Sequence, residues 1–267
     1  MSISDKYAVV TGASSGIGWH ISKELAARGY SIVAVSNQAE ALRNLKSELL
    51  ETYGINIFTI DCDLSTTGSA ELIYNYCRQK ELQVEVLVNN AGMLVHGEAM
   101  NVDIKRINTI LQLHVNTPVL LCRFFGAHMA ENKKGYILNI SSISASMPYP
   151  TISLYGPTKS FLRGFTRALH SEMKGSGVSV SCLIPGATAT SLYDTDHINL
   201  PLLIRLGIMK RPEDVARAGV LALFRGKAES VPGMINKLIL LFITLIPHAL
   251  VRYIYKRKAR RKESKKD

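Results

Sequence analysis

The sequence predicts an α/β protein in which one doubly wound parallel sheet carries helices on both faces. Short apolar segments of strand length alternate with longer segments of helical periodicity along most of the 267 residues. Two of the short segments, 84–88 and 136–140, are mostly apolar on both faces, as central strands of a covered sheet are. The first strand also leads through a glycine-rich turn directly into a helix. These three patterns favour alternating strands and helices around one core.

Each predicted element follows from its own local pattern. Strands are expected at 7–10, 31–35, 55–60, 84–88, 136–140 and 178–183. Helices are expected near 16–28, 39–53, 68–80, 103–130, 153–174 and 212–226. Ser69 and the segment that begins Arg211-Pro212-Glu213 supply residue types that helices prefer in their first turn. The chain shows neither an internal repeat nor a linker, so a single domain is predicted over residues 1–232.

Positive charge is concentrated at the C-terminal end. The chain carries a formal net charge of +11. Residues 252–267 hold nine lysines and arginines against two acids, so this segment carries +7 and the rest of the chain only +4. A body with so little excess charge argues against a basic groove across the fold. No nucleic-acid partner is therefore predicted.

The cysteine pattern indicates a reducing compartment. Cys62, Cys77, Cys122 and Cys182 form no C-x-x-C pair, and their spacing to the seven histidines is not that of metal ligands. We therefore expect reduced thiols and no metal site. No basic and then apolar leader opens the sequence, so a cytoplasmic protein without a signal peptide is expected.

The glycine-rich turn predicts a phosphate-binding loop. The strand at 7–10 runs into Thr11, and the loop residues that follow are Gly12, Ala13, Ser14, Ser15, Gly16, Ile17 and Gly18. Glycines between a strand and a helix let the backbone approach a pyrophosphate at the helix N-terminus. An ordinary tight turn would use glycines too, but the strand before and the helix after favour a dinucleotide site.

Polar residues follow three of the other predicted strands. Ser36 and Asn37 stand where dinucleotide-binding folds often carry an acid for the ribose of NAD, so a 2′-phosphate is not repelled there, although no basic residue attracts it. Asp63 and Leu64 follow the third strand, and the fourth ends in Asn89-Asn90-Ala91-Gly92. Each group could also be a simple cap at a strand end.

A Tyr-x-x-x-Lys pattern supplies the candidate catalytic pair. Tyr155 and Lys159 are four residues apart at the start of a predicted helix and therefore share a face. Ser142 precedes Tyr155 by 13 residues, at the end of a strand. Tyr76 and Lys80 form a second match, but they lie late in a helix and no serine accompanies them.

Taken in this order, the motifs resemble those of the short-chain dehydrogenase/reductase family over residues 3 to about 230. The resemblance implies a single-domain Rossmann-like fold and the reduction of a ketone by hydride transfer. Tyr155 would be the general acid, Lys159 would favour its phenolate, and Ser142 would hold the substrate oxygen. Asn116 resembles the family asparagine that supports a proton relay through a water and Lys159; alternatively, it only bends its helix.

The resemblance also implies the cofactor contacts. NADPH is favoured, with NADH as the alternative, since the second strand lacks a terminal acid. After the sixth strand, the segment 185–190 resembles the family loop that contacts the nicotinamide. The implied contact residues are Gly12, Ser14, Ser15, Gly16, Ile17, Gly18, Ser36, Asn37, Asp63, Leu64, Asn90, Ala91, Gly92, Tyr155, Lys159, Pro185, Gly186, Thr188 and Thr190.

The segment 191–210 is expected to form a lid over the substrate. Residues 200–209 are markedly apolar, which indicates a hydrophobic substrate. The alternative is a helix that simply packs on the body. Three acids, Glu98, Asp194 and Asp196, lie in loops that could face an amine on the substrate.

The segment 233–267 departs from the family pattern. Nine residues from 238 to 246 are almost all apolar, and Pro247 and Arg252 interrupt the run before the basic tail. A helix that spans a bilayer needs about 20 apolar residues. We therefore expect a peripheral anchor on an anionic membrane surface, which basic residues stabilise. A cover for the pocket, a subunit interface and a true span are the alternatives.

These features predict an NADPH-dependent ketone reductase acting on a hydrophobic substrate. In style, they are closest to membrane-associated 3-ketosphinganine reductases and to hydroxysteroid or 3-ketoacyl reductases. The alternative is a scaffold or sensor that binds NADP(H) at a membrane without turnover. The resemblance implies a homodimer or homotetramer, and the expected location is the cytoplasmic face of a membrane.

Overall fold

The computed structural model describes residues 6–147, 149–190, 200–243 and 245–263. Its strands are β1 (Lys6–Thr11), β2 (Ser31–Ser36), β3 (Ile57–Asp61), β4 (Gln83–Asn89), β5 (Gly135–Ile140), β6 (Val178–Leu183) and β7 (Glu229–Ser230). They form one parallel sheet in the order β3-β2-β1-β4-β5-β6-β7. The predicted α/β fold class is thereby confirmed. The two-residue β7 was not predicted, because it is too short to show periodicity.

Helices connect the strands and cover both faces of the sheet. They are α1 (Gly16–Ala26), α2 (Ala39–Tyr53), α3 (Ser69–Gln79), α4 (Ile104–Leu111), α5 (Thr117–Glu131), α6 (Tyr155–Glu172), α7 (Leu200–Arg205), α8 (Pro212–Phe224), α9 (Met234–Ile243) and α10 (His248–Glu263). The helix predicted over 103–130 is divided by one wide π-helical turn, Gln112–Asn116.

Two cores lie on opposite faces of the sheet because successive strand residues point to opposite sides. In β1, Ala8 and Val10 face the cluster formed with α1, α2 and α8. Tyr7 and Val9 face the second cluster, to which α3, α5 and α6 contribute. The sheet is therefore held from both sides, and the ends of its strands are fixed in position.

The C-terminal helices begin within the body and then leave it. Asn236 in the first turn of α9 is 2% exposed and packs directly on Gly186. From Leu238 onward the large apolar side chains are mostly exposed, including Leu241 at 64% and Leu245 at 72%. Within the described ranges, no helix is both long enough and apolar enough to traverse a lipid bilayer.

Candidate active site

A cleft of about 650 Å³ opens at the carboxyl edge of the sheet. The carboxyl ends of all parallel strands meet at this edge, where ligands of doubly wound folds bind. Residues that follow β1, β2, β3, β4, β5 and β6 line it. All of the predicted site residues line the cleft except Gly18 and Asn116. The topology thus brings together motifs that are far apart in the sequence.

The glycine loop forms a cradle that side chains would fill. Gly12 and Gly16 have φ angles of 63° and 54°, a backbone region that favours glycine. A Cβ on Gly12 would stand 2.8 Å from the Cα of Ala91, and one on Gly16 would stand 2.9 Å from Cγ2 of Thr190. The N-terminus of α1 begins at the same place. This open, side-chain-free cradle fits the pyrophosphate of a dinucleotide.

Gly18 acts from behind the loop. It is buried, and a Cβ there would collide with the carbonyl oxygen of Gly12 and with the side-chain amide of Asn90. The prediction that Gly18 contacts the cofactor is therefore corrected. Its missing side chain lets α1 pack closely against the loop, which keeps the cradle in place.

Asn90 and Thr11 fix the shape of the cradle. The Asn90 side-chain amide donates to the carbonyl oxygens of Thr11 and Gly12, at 3.0 and 3.1 Å. The backbone N–H groups of Asn90 and Ala91 donate to Oγ1 of Thr11, at 2.9 and 3.1 Å. Sequence reasoning did not assign a role to Thr11. Its position as the last residue of β1, beside the end of β4, explains the contact.

The turn after β2 is polar and uncharged. The Ser36 hydroxyl donates to Oγ of Ser14 at 2.8 Å, and the backbone N–H of Gln38 donates to Oγ of Ser36. Asn37 and Gln38 also line the cleft. This donor set suits either a ribose hydroxyl or a 2′-phosphate, since no carboxylate stands in the turn.

Ser142, Tyr155 and Lys159 lie at the far end of the cleft. All three are nearly buried, with exposures of 6, 7 and 5%. Oγ of Ser142 accepts from the backbone N–H of Ser144, so its hydroxyl hydrogen can still be donated. Tyr155 is the first residue of α6, and Lys159 lies one turn later. The helix therefore presents both side chains at the end of β5, where Ser142 stands.

The ammonium of Lys159 is held beside the tyrosine. Its Nζ donates to the carbonyl oxygen of Ile140 at 2.9 Å and lies 5.9 Å from the centre of the Tyr155 ring. Burial lowers the pKa of Lys159 to about 8. The group still carries its charge at neutral pH and favours a phenolate nearby.

The structure does not bring Asn116 into the cleft. Its side chain is exposed and donates to Oε1 of Gln112, one turn back, at 3.1 Å. His114, two residues earlier, occupies the inward position and is 1% exposed. Helical spacing could have shown this, because Ile110, His114 and Thr117 follow one buried stripe and Asn116 does not.

Sequence reasoning also missed one wall of the cleft. Arg106, Thr109 and Leu113 line it from one side, at spacings that place them on a single helix face. Cys62 lines it as well and is the least buried of four free cysteines. These residues carry no motif, so only the packing of α4 against the sheet reveals them.

Two other sequence expectations concern the surroundings of the site. Tyr76 is partly buried, and its ring packs edge-on against Phe58 with centroids 6.2 Å apart, so it belongs to the core rather than the surface. Asp194 and Asp196 lie outside the described residues. Of the predicted lid, α7 and the residues to Lys210 are described, and Leu202, Leu206 and Ile208 are about half exposed.

Comparison with known proteins agrees with this geometry. A family model described as short chain dehydrogenase matches residues 6–198, which include the glycine loop, Ser142, Tyr155 and Lys159. The chain belongs to the short-chain dehydrogenase family. This confirms the resemblance indicated by the motifs and places the chain among the NAD(P)-dependent oxidoreductases.

Three members of the short-chain dehydrogenase family show the range of relatives. The chain is 35% identical over 192 residues to the very-long-chain 3-oxoacyl-CoA reductase of Anas platyrhynchos, covering 70% of this chain and 61% of that protein. It is 32% identical over 205 residues to the 17-beta-hydroxysteroid dehydrogenase type 3 of Homo sapiens, covering 75% and 64%. The chain thus spans less than two thirds of these relatives. L-sorbose reductase from Gluconobacter frateurii, complexed with NADPH and L-sorbose, has a TM-score of 0.77 at 27% identity, covering 88% and 98%.

Proposed function

We propose that this short-chain dehydrogenase is an NADPH-dependent reductase that converts a ketone on a hydrophobic substrate into a secondary alcohol. The observation that carries the proposal is the convergence of Ser142, Tyr155 and Lys159 at one end of the cleft whose other end is the glycine cradle. A dinucleotide in that cradle would extend toward Tyr155. The absence of a carboxylate after β2 supports NADPH, and the solved L-sorbose reductase complex holds the same cofactor.

The chemistry follows from the three side chains. Bound NADPH supplies the hydride. The Ser142 hydroxyl donates a hydrogen bond to the ketone oxygen, and the Tyr155 hydroxyl gives its proton to that oxygen as negative charge develops there. An ordinary phenol, with a pKa near 10, is a weak acid at neutral pH. The buried ammonium of Lys159 stabilises the phenolate that remains, and so lowers the cost of the proton transfer.

Apolar side chains near the cleft support a hydrophobic substrate. Ile104, which is 75% exposed, precedes the cleft residue Arg106 by two positions. Leu206 and Ile208 precede Lys210, which pairs with the cleft residue Thr188. The relatives named above act on a very-long-chain 3-oxoacyl-CoA and on a hydroxysteroid. We therefore rank a long-chain 3-oxoacyl thioester first, with 3-ketosphinganine and a ketosteroid as the other members of the class.

NADPH oxidation against these three ketones tests the proposal. We expect one of them to be turned over, with NADH supporting a slower rate. Tyr155→Phe should lower kcat by about 10²- to 10⁴-fold, because it removes the general acid and keeps the ring. Tyr76→Phe is the matched control, since it changes the second Tyr-x-x-x-Lys pattern outside the cleft, and its kcat should stay at the wild-type level.

Two results would contradict the reductase. If NADPH binds but none of the ketones is reduced, or if Tyr155→Phe retains full activity, the chain is better explained as a cofactor-binding scaffold or sensor. Tight NADPH binding in the Tyr155→Phe variant, measured by nucleotide fluorescence, shows whether a loss of rate concerns the chemistry or the cofactor.

We also propose that residues 234–267 attach the protein to the surface of an anionic membrane. Leu238, Leu241, Phe242 and Leu245 are 50 to 72% exposed on consecutive turns, which is unusual for a surface that faces only water. Exposed Arg252, and beyond it the basic tail, would meet acidic lipid headgroups, each charge contributing about 1 kcal/mol. The cytoplasmic leaflet is the expected anionic surface.

Vesicle co-sedimentation tests the anchor. The double variant Leu241→Ser/Phe242→Ser should bind vesicles containing phosphatidylserine at least tenfold more weakly, because it removes two buried apolar side chains from the lipid contact. Leu50→Ser/Leu72→Ser changes two similarly exposed leucines on α2 and α3 and should bind normally. Equal binding by both double variants would refute the anchor. Point changes are preferable to truncation, because truncation also removes the buried Asn236.

The exposed aromatic surface of α6 supports a homodimer or homotetramer. Phe161 is 45% exposed and stacks on Phe165 with centroids 6.2 Å apart, one turn from Lys159. We propose that this face packs against a second copy. Phe161→Glu should shift the protein to monomers in size-exclusion chromatography with light scattering. An unchanged molar mass would place the interface elsewhere.

A further inference from the structure

A buried imidazole stands behind Tyr155. His114 lies in the wide turn Gln112–Asn116 between α4 and α5, and it is 1% exposed. Its ring meets the Tyr155 ring edge-on, with centroids 5.7 Å apart. Such turns are frequent at functional sites, since they re-aim a single side chain within a helix. None of the motifs that define the candidate site includes this histidine.

The hydrogen bonds of His114 determine which nitrogen carries the proton. The backbone N–H of Met93 approaches Nε2 at 3.0 Å, and an N–H can only donate, so Nε2 must be the acceptor. The single hydrogen of a neutral imidazole is then on Nδ1, which lies 3.0 Å from Oγ1 of Thr158. The Thr158 hydroxyl in turn donates to the carbonyl oxygen of Tyr155 at 2.9 Å. One directed chain of hydrogen bonds therefore connects Met93 to the backbone of Tyr155.

A charged imidazole would not fit this position. Protonated Nε2 would face the N–H of Met93, so two donors would oppose each other. The ionisable groups that face the ring come from α6: Tyr155 in edge contact and the ammonium of Lys159. Burial, and then the charge of Lys159, hold the pKa of His114 well below its usual value. Nε2 of His114 and Nζ of Lys159 both lie within 3.4 Å of the point where a Cβ on Gly92 would stand.

We propose that His114 is a positioning residue that stays neutral and fixes Tyr155 for proton transfer without carrying a proton itself. It joins the segment after β4, which lines the cofactor end of the cleft, to the first turn of α6, which carries the general acid. The inference deepens the proposed ketone reduction and rests on it. It also replaces the relay predicted for Asn116, because both imidazole nitrogens are engaged and the ring offers no path for a proton.

The tautomer can be measured without any substrate. In apo-protein labelled with ¹⁵N-histidine, two-bond N–H correlation spectra should show His114 as the neutral Nδ1–H form, unchanged between pH 5 and pH 9. The spectrum of His114→Ala identifies the signal. An Nε2–H form, or a protonation step within that range, would overturn the proposal even if no ketone substrate had been found.

Variants at 114 and 158 test the route to Tyr155. His114→Ala should lower kcat about tenfold, with the ketone KM and the NADPH Kd within threefold of the wild-type values. Thr158→Val should lower kcat similarly, and the double variant should lose no more than about twofold further, because the two residues act in one chain. His114→Asn should recover part of the loss, since its amide can still donate to Thr158. His128→Ala, a histidine change on α5 outside the cleft, should leave kcat unchanged.

The two measurements separate failure of this inference from failure of the reductase. Fully additive losses in the 114 and 158 variants would show that His114 does not act through Thr158. Equal rises in KM and Kd with an unchanged kcat would show a purely structural role. If no ketone is reduced at all, the proposed function fails, while the tautomer measurement still decides whether His114 is the neutral group inferred here.

Discussion

Two neighbouring regions of the molecule satisfy their side chains in different ways. Around the glycine loop, Asn90, Thr11 and Ser36 direct their polar atoms to groups within the protein, and glycines leave space only where a ligand or a close contact needs it. From Leu238 onward, α9 and α10 instead expose apolar side chains that nothing in the chain covers within the described residues. The first region is complete by itself, whereas the second needs a surface from outside. A rigid cofactor site beside an unfinished apolar surface is what a reductase of membrane-borne ketones requires.

Gly18→Ala should produce the largest effect on the complete region. The new Cβ would collide with Gly12 and Asn90, so we expect the NADPH Kd to rise at least 100-fold and stability to fall by about 3 kcal/mol. Nucleotide fluorescence and urea denaturation measure the two effects. Gly164→Ala, on the exposed face of α6 with open space around it, should instead gain about 0.5–1 kcal/mol. Normal NADPH binding by Gly18→Ala would show that the loop is not rigid.

Lys159→Met should change how stability depends on pH. The pKa of Lys159 is about 8 in the folded protein and near 10.5 when unfolded, so the unfolded chain binds more protons between these values. Wild-type stability should therefore rise through that window, by about 3 kcal/mol for this one group, and the cost of the buried ammonium is fully present below pH 8. The methionine variant lacks this rise.

Urea denaturation of the apo-protein between pH 7 and pH 10.5 measures that difference. Other lysines and tyrosines titrate equally in both proteins and cancel when the two curves are subtracted. Lys46→Met, on the exposed side of α2, should follow the wild-type curve. Parallel curves for the wild type and Lys159→Met would mean that Lys159 is not desolvated.

Asn236→Ala sharpens the boundary between the two regions. Its amide donates to the carbonyl oxygen of Pro232 at 2.7 Å, and it packs on the cleft residue Gly186. We expect a loss of about 1–2 kcal/mol and a severalfold weaker NADPH Kd. Leu241→Ser, in the same helix, should change neither quantity by a comparable amount. If both variants behave alike, α9 as a whole belongs to one region.

Tyr255→Phe should have the smallest effect. The Tyr255 hydroxyl donates to Oε1 of Glu98, and this exposed contact links α10 to the loop between β4 and α4. Exposed bonds of this kind add little to global stability, so Tm should not change. Hydrogen exchange of α10 should become severalfold faster. Unchanged exchange would show that this bond does not hold α10 to the body.

Most of the fold could be predicted because its signals are local. Every predicted strand and helix of the sheet is present, with boundaries within about two residues of the observed ones apart from the division at Gln112–Asn116. The segments around Gly12, Asn90 and Tyr155 are each contiguous and carry their spacing with them. Since the carboxyl ends of parallel strands share one edge, their assembly into one cleft follows from the order of the elements.

By itself, the sequence determined the parallel α/β fold, the family and the cleft residues that belong to contiguous motifs. The tertiary structure alone decided that His114 rather than Asn116 faces Tyr155, that Arg106 and Leu113 form a wall of the cleft, and that Asn236 belongs to the body. The reason is physical: a motif fixes which residues are neighbours along the chain, but the direction of a helical side chain depends on how that helix rotates and packs against the sheet.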